Sequence, residues 1–291
     1  MICNICRSNA VSSFETLDRK KYWSCNFCGG KHLDKSYFID AAEEELRYLE
    51  HNNDIQDKEY RAFLSKLSDP LKEKLSLGAH GLDFGCGTGP ALADILTQEG
   101  FKVSLYDPFF YPNKNVLSKQ YDFITCTETA EHFHDPFKEF NTLNDLLKPG
   151  GWLGVMTSFL TSDEMFDNWY YRRDPTHVTF YCEKTFEVIA SQRNWTCEIK
   201  LKDVVLLQKN QQADQALKLL TQLPKNDQQL TQVITKSTAL IHQLKGPSEA
   251  AEYLRQQIKK TGAQFTLQHY RAKLLSQFNL PAAEEAFSQL L

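Results

Sequence analysis

The chain has 291 residues, of which 42% are hydrophobic, 24% charged and 12% aromatic, enough apolar material for at least one sizeable core and about two domains. That composition excludes a disordered, collagen-like or low-complexity chain. With 33 Lys and Arg against 37 Asp and Glu, the net charge of -4 excludes an overall basic footprint for nucleic acid.

Residues 1–40 carry two C-x-x-C pairs, Cys3/Cys6 and Cys25/Cys28, separated by 18 residues. Four thiolates at this spacing suit tetrahedral zinc, each pair on a tight knuckle. Gly29-Gly30 supplies the turn after the second pair; Arg7 stands where a glycine often follows the first. His32 is not needed as a ligand, because four cysteines complete the set. So short a segment buries too little apolar surface to fold alone, and the metal is expected to supply its stability. Arg19-Lys20-Lys21-Tyr22-Trp23 is either a basic–aromatic patch for stacking on a base or a solvated turn. Cys86, Cys126, Cys182 and Cys197 are scattered singly and are expected to be reduced thiols in a cytoplasmic protein. No apolar window reaches membrane-span length, and Met1-Ile2-Cys3-Asn4 does not open a signal peptide, so no membrane partner is expected.

Residues 41–77 form a helical linker. Leu46 and Leu49, then Tyr60, Phe63, Leu64 and Leu67, recur at helical spacing until Pro70 interrupts. Over residues 78–209 short apolar strands alternate with helices: Leu82–Phe84, Val103–Tyr106, Phe123–Cys126 and Leu153–Met156. This pattern predicts a mostly parallel α/β sheet of crossover units. Trp195–Leu201 and Val204–Gln208 are joined by Lys202-Asp203, which predicts an antiparallel hairpin. Residues 210–291 are rich in Gln, Leu, Ala and Lys and are expected to be helical, as a small bundle or as 34-residue helical-hairpin repeats.

The first strand of the sheet runs into Gly81-Leu82-Asp83-Phe84-Gly85-Cys86-Gly87-Thr88-Gly89-Pro90. Gly85, Gly87 and Gly89 on alternate positions allow a sharp turn beneath a ligand, and Pro90 fits the first turn of a following helix. Asp83 can accept hydrogen bonds from an amine-bearing ligand. Asp107 ends the next strand, where an acid can hold ribose hydroxyls. The spacing is neither a dinucleotide fingerprint nor a P-loop.

These residues, with the strand Tyr121–Thr127, the run Glu128-Thr129-Ala130-Glu131-His132 and Leu146-Leu147-Lys148-Pro149-Gly150-Gly151, resemble class I S-adenosylmethionine-dependent methyltransferases. The resemblance covers roughly residues 78–209. It implies a Rossmann-like sheet with an antiparallel last strand, flanked here by a small zinc ribbon and a C-terminal helical region. It also implies that Asp83, Gly85, Cys86, Gly87, Gly89 and Asp107 bind the cofactor, with Thr127 facing its sulfonium end. Only 13 residues separate Asp107 from Tyr121, so the third strand is expected to be short or missing.

The chain lacks an Asn-Pro-Pro-Tyr loop and a Pro-Cys nucleophile, which by elimination leaves oxygen or carbon methylation of a small molecule. Glu128, Glu131 and His132 are spaced to share a helix face, and His177 follows the fifth strand of the resemblance. They are similar to residues of methyltransferases of small-RNA ends and quinone precursors, some of which bind a divalent ion through a Glu-x-x-Glu-His run and a later His. That resemblance implies a divalent ion at Glu128, Glu131 and His132 with His177 as the later His; the alternatives are His132 and His177 as catalytic residues, or a packed Glu-His and a structural His177 without a metal. Phe159, Phe166, Trp169, Tyr170, Tyr171, Phe180 and Tyr181 are divided between a substrate wall and core, and Arg172 and Arg173 are candidate anion clamps. The ribbon also resembles zinc modules ahead of some rRNA methyltransferases and of sugar carbon-methyltransferases. RNA or a translation component as acceptor is therefore the alternative, and a non-catalytic adaptor is a second. The C-terminal helices are candidates for a protein partner or self-association.

Overall fold

The computed structural model describes residues 1–16, 18–50 and 54–210. The chain divides into two units, one of Met1–Ser191 with Trp195–Lys209 and one of Gln192–Asn194 with Asn210–Leu291. The expected C-terminal helices and repeats lie outside the described residues. Everything below concerns the first unit.

Three strands come from the cysteine-rich segment: β1 (Val11–Glu15), β2 (Lys21–Cys25) and β3 (Lys31–Leu33). Two helices follow, α1 (Ala41–Leu49) and α2 (Lys58–Lys72). Asp40 and Asp57 start them by accepting the first free N–H groups, and Glu43 completes a capping box with Asp40. Pro70 does not end α2, as the sequence had suggested. It sits in the last turn, where buried Leu67 and Leu71 hold the helix against the core.

The main sheet takes β4 (His80–Phe84), β5 (Lys102–Tyr106), β6 (Tyr121–Thr127), β7 (Leu147–Met156), β9 (Trp195–Leu201) and β10 (Val204–Lys209), in the order β5-β4-β6-β7-β10-β9. The first four are parallel; β10 is antiparallel to β7, and β9 to β10. Helices α3 (Ala91–Gln98), α4 (Pro136–Leu146) and α5 (Glu183–Arg193) lie between strands in sequence. No strand forms between Asp107 and Tyr121; a 3-10 turn over Lys114–Ser118 takes its place, as the short spacing predicts. Side chains alternate across the sheet with period two. Leu82, Ile124, Cys126, Leu153 and Val155 pack on one face with Phe140 and Leu143 of α4. Phe123, Trp152, Met156 and Leu206 pack on the other with Leu64 and Leu67 of α2 and Leu92 and Leu96 of α3.

The chain leaves β4 for β5 on one side and later returns to β6 on the other. This reversal opens a crevice at the carboxyl ends of β4 and β6, the place where open α/β sheets bind ligands. The connection after β7 adds the two-residue strand β8 (Thr179–Phe180), which pairs with β3 and extends the small sheet to β1-β2-β3-β8. The cysteine-rich segment therefore shares a sheet with the connection that follows β7. Among the described residues, no helix is long and apolar enough to cross a membrane.

Gly81 has a packing role. A Cβ there would fall 2.2 Å from the buried Phe123 ring. Gly81→Ala is expected to cost about 1–3 kcal/mol by overpacking, read as a lower urea midpoint with an unchanged m-value.

Candidate functional site

A cavity of about 1070 Å³ opens over the ends of β4, β5 and β6. Its floor is the glycine loop. Gly85 and Gly87 take φ of +77° and +62°, a backbone conformation that side chains disfavour. A Cβ on Gly85 would also strike Thr129 at 2.2 Å. The Gly85 and Cys86 amides donate to the Tyr106 carbonyl, so the end of β5 fixes the loop.

Asp107 is buried and ties the two loops together. One carboxylate oxygen accepts the Gly87 amide at 3.0 Å; the other accepts those of Phe109 and Phe110 at 2.9 and 3.1 Å. A carboxylate has about four acceptor positions, so this pattern fixes its direction and leaves one for a ligand hydroxyl. Asp83 is buried beneath the loop and accepts the Thr125 hydroxyl at 2.7 Å. Burial pushes its carboxyl up to about 6, and the nearby Asp107 adds to the rise. Thr127 lines the cavity, and its hydroxyl oxygen is buried with no hydrogen-bond partner. Of the residues expected to bind a cofactor, Asp83, Gly85, Cys86, Gly87, Gly89, Asp107 and Thr127 all line this one cavity.

The opposite wall is built around Glu131, which is fully buried. Its carboxyl accepts the Tyr171 hydroxyl at 2.5 Å and the Thr157 hydroxyl at 2.9 Å. Beside it stand two imidazoles with ring centroids 4.8 Å apart. His132 Nδ1 lies 3.0 Å from the Thr176 carbonyl, and His177 Nδ1 lies 2.6 Å from the Tyr171 carbonyl. A carbonyl only accepts, so each ring carries a proton on Nδ1, and in the neutral ring the lone pair lies on Nε2. Enclosure in the wall holds His132 below the usual histidine range, against the opposing pull of Glu131.

The grouping differs from the expected one. Ligand atoms of Glu131, His132 and His177 lie within 4.8 Å of one another, and Glu128 is not among them. The shared-face argument required an α-helix. Residues Ala130–His132 instead form one 3-10 turn, and Glu128 precedes it with a left-handed φ of +47°. Arg172 is likewise no clamp: its guanidinium is 4% exposed and donates to Asp18, Asp167 and the Phe166 carbonyl. Arg173 does line the cavity, as do Tyr170 and Tyr171, whereas Phe159, Phe166, Phe180 and Tyr181 are core. Tyr22 of the expected basic–aromatic patch is also core, at 1% exposed, and is not available for stacking on a base.

Helices α1 and α2 close the cavity from above, a role the sequence did not suggest. Arg47 of α1 bonds Asp174 at 2.8 Å, Tyr48 sets its ring edge-on to His132, and Tyr60 of α2 lines the space near Asp83. Burial, then the charges of Asp83 and Glu128, push the Tyr60 phenol up to about 12. Tyrosines on an amphipathic helix look like ordinary packing residues, so no sequence signal separates these.

The four N-terminal cysteines converge away from the cavity. All are buried, and their sulfurs lie within 4.8 Å of one another. The Cys3–Cys28 and Cys6–Cys25 separations are 3.9 and 3.6 Å. A tetrahedron with metal–sulfur bonds of about 2.3 Å has edges of about 3.8 Å, so the cluster fits zinc. The two knuckles match. The Arg7 amide donates to the Cys3 carbonyl and the Gly29 amide to the Cys25 carbonyl, with φ of +64° and +75°. Arg7 thus occupies the glycine-favouring position that the sequence marked.

An α/β sheet with this crevice, a glycine loop after the first strand and an acid at the end of the next defines the class I methyltransferase architecture. The family described as "Methyltransferase domain" matches residues 49–199, and the chain belongs to that family. Among curated proteins, the uncharacterized protein YafE of Escherichia coli K12 is 28% identical over 138 residues, 45% of this chain. The chain spans 62% of that relative's length. Similar solved structures include a 1,6-didemethyltoxoflavin-N1-methyltransferase of Burkholderia thailandensis with bound S-adenosylhomocysteine. It is 14% identical, covers 68% of this chain and 99% of its own, and has a TM-score of 0.39. A SAM-dependent methyltransferase of Methanosarcina mazei is also 14% identical, covering 48% and 97%, with a TM-score of 0.37.

Proposed function

We propose that this protein is an S-adenosylmethionine-dependent methyltransferase that methylates an oxygen or carbon atom of a small molecule, with zinc holding its N-terminal ribbon. The observation that carries the reading is the cavity itself. One wall has carboxyl groups, Asp83 and Asp107, that suit the amine and ribose of an adenosyl ligand, and the other has two imidazoles whose Nδ1 atoms meet main-chain carbonyls, leaving Nε2 for an acceptor.

S-adenosylmethionine supplies an activated methyl group when bound. The chain's own residues bind and orient. Backbone at Gly85–Gly89 admits close approach, the open acceptor position of Asp107 suits a ribose hydroxyl, and Asp83 suits the cofactor's ammonium. Thr127 lines the same space, with its hydroxyl oxygen buried and without a partner. On the far wall, Nε2 of His132 or His177 takes the proton of an acceptor hydroxyl, which is general-base work. Holding the acceptor at near-attack distance does the rest.

A second reading is favoured by one observation. Both imidazoles donate Nδ1–H to main-chain carbonyls, and the Glu131 carboxyl is held by two hydroxyls. This is the outer arrangement typical of metal-ligating histidines and carboxylates. Glu131, His132 and His177 would then hold a divalent cation that lowers the acceptor's pKa. An RNA acceptor is less well supported, because the cavity lining has eight carboxylates against three Lys and Arg, which disfavours phosphates. The intact glycine loop and Asp107 weigh against a non-catalytic adaptor.

Calorimetry with S-adenosylhomocysteine tests the cofactor reading. Binding is expected, and Asp107→Asn is expected to weaken it about tenfold through loss of a charge-assisted bond. Asp83 must be ionised to hold an ammonium. Affinity should therefore fall as pH drops through about 6 and level off above it, and Asp83→Asn should remove that dependence. No binding by the wild type, or a flat pH profile, would contradict these assignments. For the ribbon, elemental analysis should find one zinc per chain, absent in Cys25→Ser. Titration of Mn2+ into the zinc-loaded protein separates the two readings of the far wall. A site abolished by Glu131→Ala supports the cation, and no uptake leaves the imidazoles as bases.

A further inference from the structure

The cysteine ribbon does not merely adjoin the domain. The Leu33 amide of β3 donates to the Val178 carbonyl at 2.9 Å, and the Val178 amide donates to the Glu131 carbonyl at 2.9 Å. One residue, Val178, therefore links the ribbon to the residue around which the far wall is built. Val178 directly follows His177, and Glu131 directly precedes His132. β3 continues the grip by pairing His32 with Thr179 and Lys31 with Phe180. The Thr179 hydroxyl then donates to the Phe133 carbonyl at 2.9 Å.

The first knuckle holds the other end of the same wall. Arg7 forks onto both oxygens of Asp135 at 2.7 and 2.8 Å, and the Phe137 amide donates to the Asn4 carbonyl at 3.1 Å. Asp135 caps α4 and lines the cavity. The second knuckle reaches the first turn of α5, where the Thr185 hydroxyl donates to the Cys28 carbonyl at 3.0 Å. The bonds of β3 and of the first knuckle land on the side of Glu131, His132 and His177. The glycine loop and Asp107 are tied to each other and to β5, and the loop meets the far wall through the Thr129 hydroxyl, which donates to the Gly85 carbonyl at 3.1 Å.

We propose that the four-cysteine ribbon is a positioning element for the acceptor side of the cavity. Its metal-held fold sets how the 131–137 turn and the 174–181 strap meet, and therefore how His132 and His177 face each other. The adenosyl side does not depend on it. The inference rests on the zinc and cofactor readings above. It goes beyond them by assigning the ribbon a task within the site rather than at a nucleic acid. The four sulfurs lie within 4.8 Å of one another and join the two knuckles. Loss of the metal that would hold them should release the knuckles and with them Leu33, Asn4 and Arg7.

The test is amide hydrogen exchange on the full chain, with calorimetry on the same samples. Zinc is stripped by chelator, or Cys25 is replaced by Ser. Exchange over 131–137 and 174–181 is expected to rise about tenfold or more, while exchange over 81–89 and affinity for S-adenosylhomocysteine change less than about threefold. Returning one equivalent of Zn2+ to the stripped protein should restore protection. Uniform loosening that includes 81–89, or no change at 174–181, overturns the proposal. Arg7→Gln keeps the thiols and covers the case in which the metal-free chain unfolds. It should retain zinc and full adenosyl affinity yet speed exchange over 131–137 severalfold, and unchanged exchange there counts against the coupling. Wild-type protein that fails to bind S-adenosylhomocysteine refutes the cofactor reading alone. Wild-type protein without zinc refutes the metal reading alone. In either case the Arg7→Gln exchange arm still decides the coupling.

Discussion

The acceptor side of this molecule depends on the burial of the Glu131 carboxyl group. A carboxyl with no solvent contact is costly unless its oxygens are satisfied, and the neighbourhood is arranged to do this. Tyr171 and Thr157 donate to it, Val178 donates to its main-chain carbonyl, and the ring of His132 stands alongside. Tyr171 serves twice, because its own carbonyl fixes the tautomer of His177. Four separate stretches of chain are thereby drawn together: the end of β6, the end of β7, the 3-10 turn carrying Tyr171, and the strap before β8.

The two sides of the cavity have different origins. The adenosyl side follows from the sheet. Parallel strands ending side by side, a reversal of strand order and glycines at the first strand end make a crevice with little help from elsewhere. The acceptor side is assembled from additions to that sheet: α1 and α2 above, the connection after β7 beside it, and the cysteine ribbon behind that connection. Such a division lets acceptor specificity vary while the cofactor side stays constant, because loops and appended segments tolerate change better than packed strands.

Local sequence was enough where local chemistry decides. The strand ends, the glycine loop and Asp107 were legible because positive φ and close approach admit few residue types. The missing third strand was legible because 13 residues cannot hold a crossover. The four cysteines were legible from spacing alone, and Arg7 was marked by the glycine it replaces. Contacts distant in sequence were not. The resemblance supplies His177 as a later histidine, but the backbone bonds that carry it across some 45 positions to Glu131 and His132 are recorded by no motif. The helical spacing of Glu128, Glu131 and His132 misled because a single 3-10 turn, not a helix, follows β6. Arg172 looked like an exposed clamp, yet Asp18 and Asp167 bring carboxylates to it and let it be buried. Tyr48 and Tyr60 carry the 3.6-residue signature of packing residues, and only the tertiary fold turns them toward the cavity.

The charge of the cavity follows from the proposed reaction. A sulfonium brings one positive charge into a lining where carboxylates outnumber Lys and Arg by eight to three. In this cavity that charge is stabilised by the carboxylates more than it would be in water. In the proposed reaction, passage of the methyl group to a neutral hydroxyl would leave the sulfur uncharged, with the hydroxyl proton going to an imidazole. The positive charge would then stay in the cavity and move from one wall to the other. Carboxyl groups line both walls, Asp83 and Asp107 on one and Glu131 and Asp174 on the other. The acidic lining and the paired imidazoles would thus have a common explanation: the site would hold one cation both before and after transfer, and only the position of that cation would change.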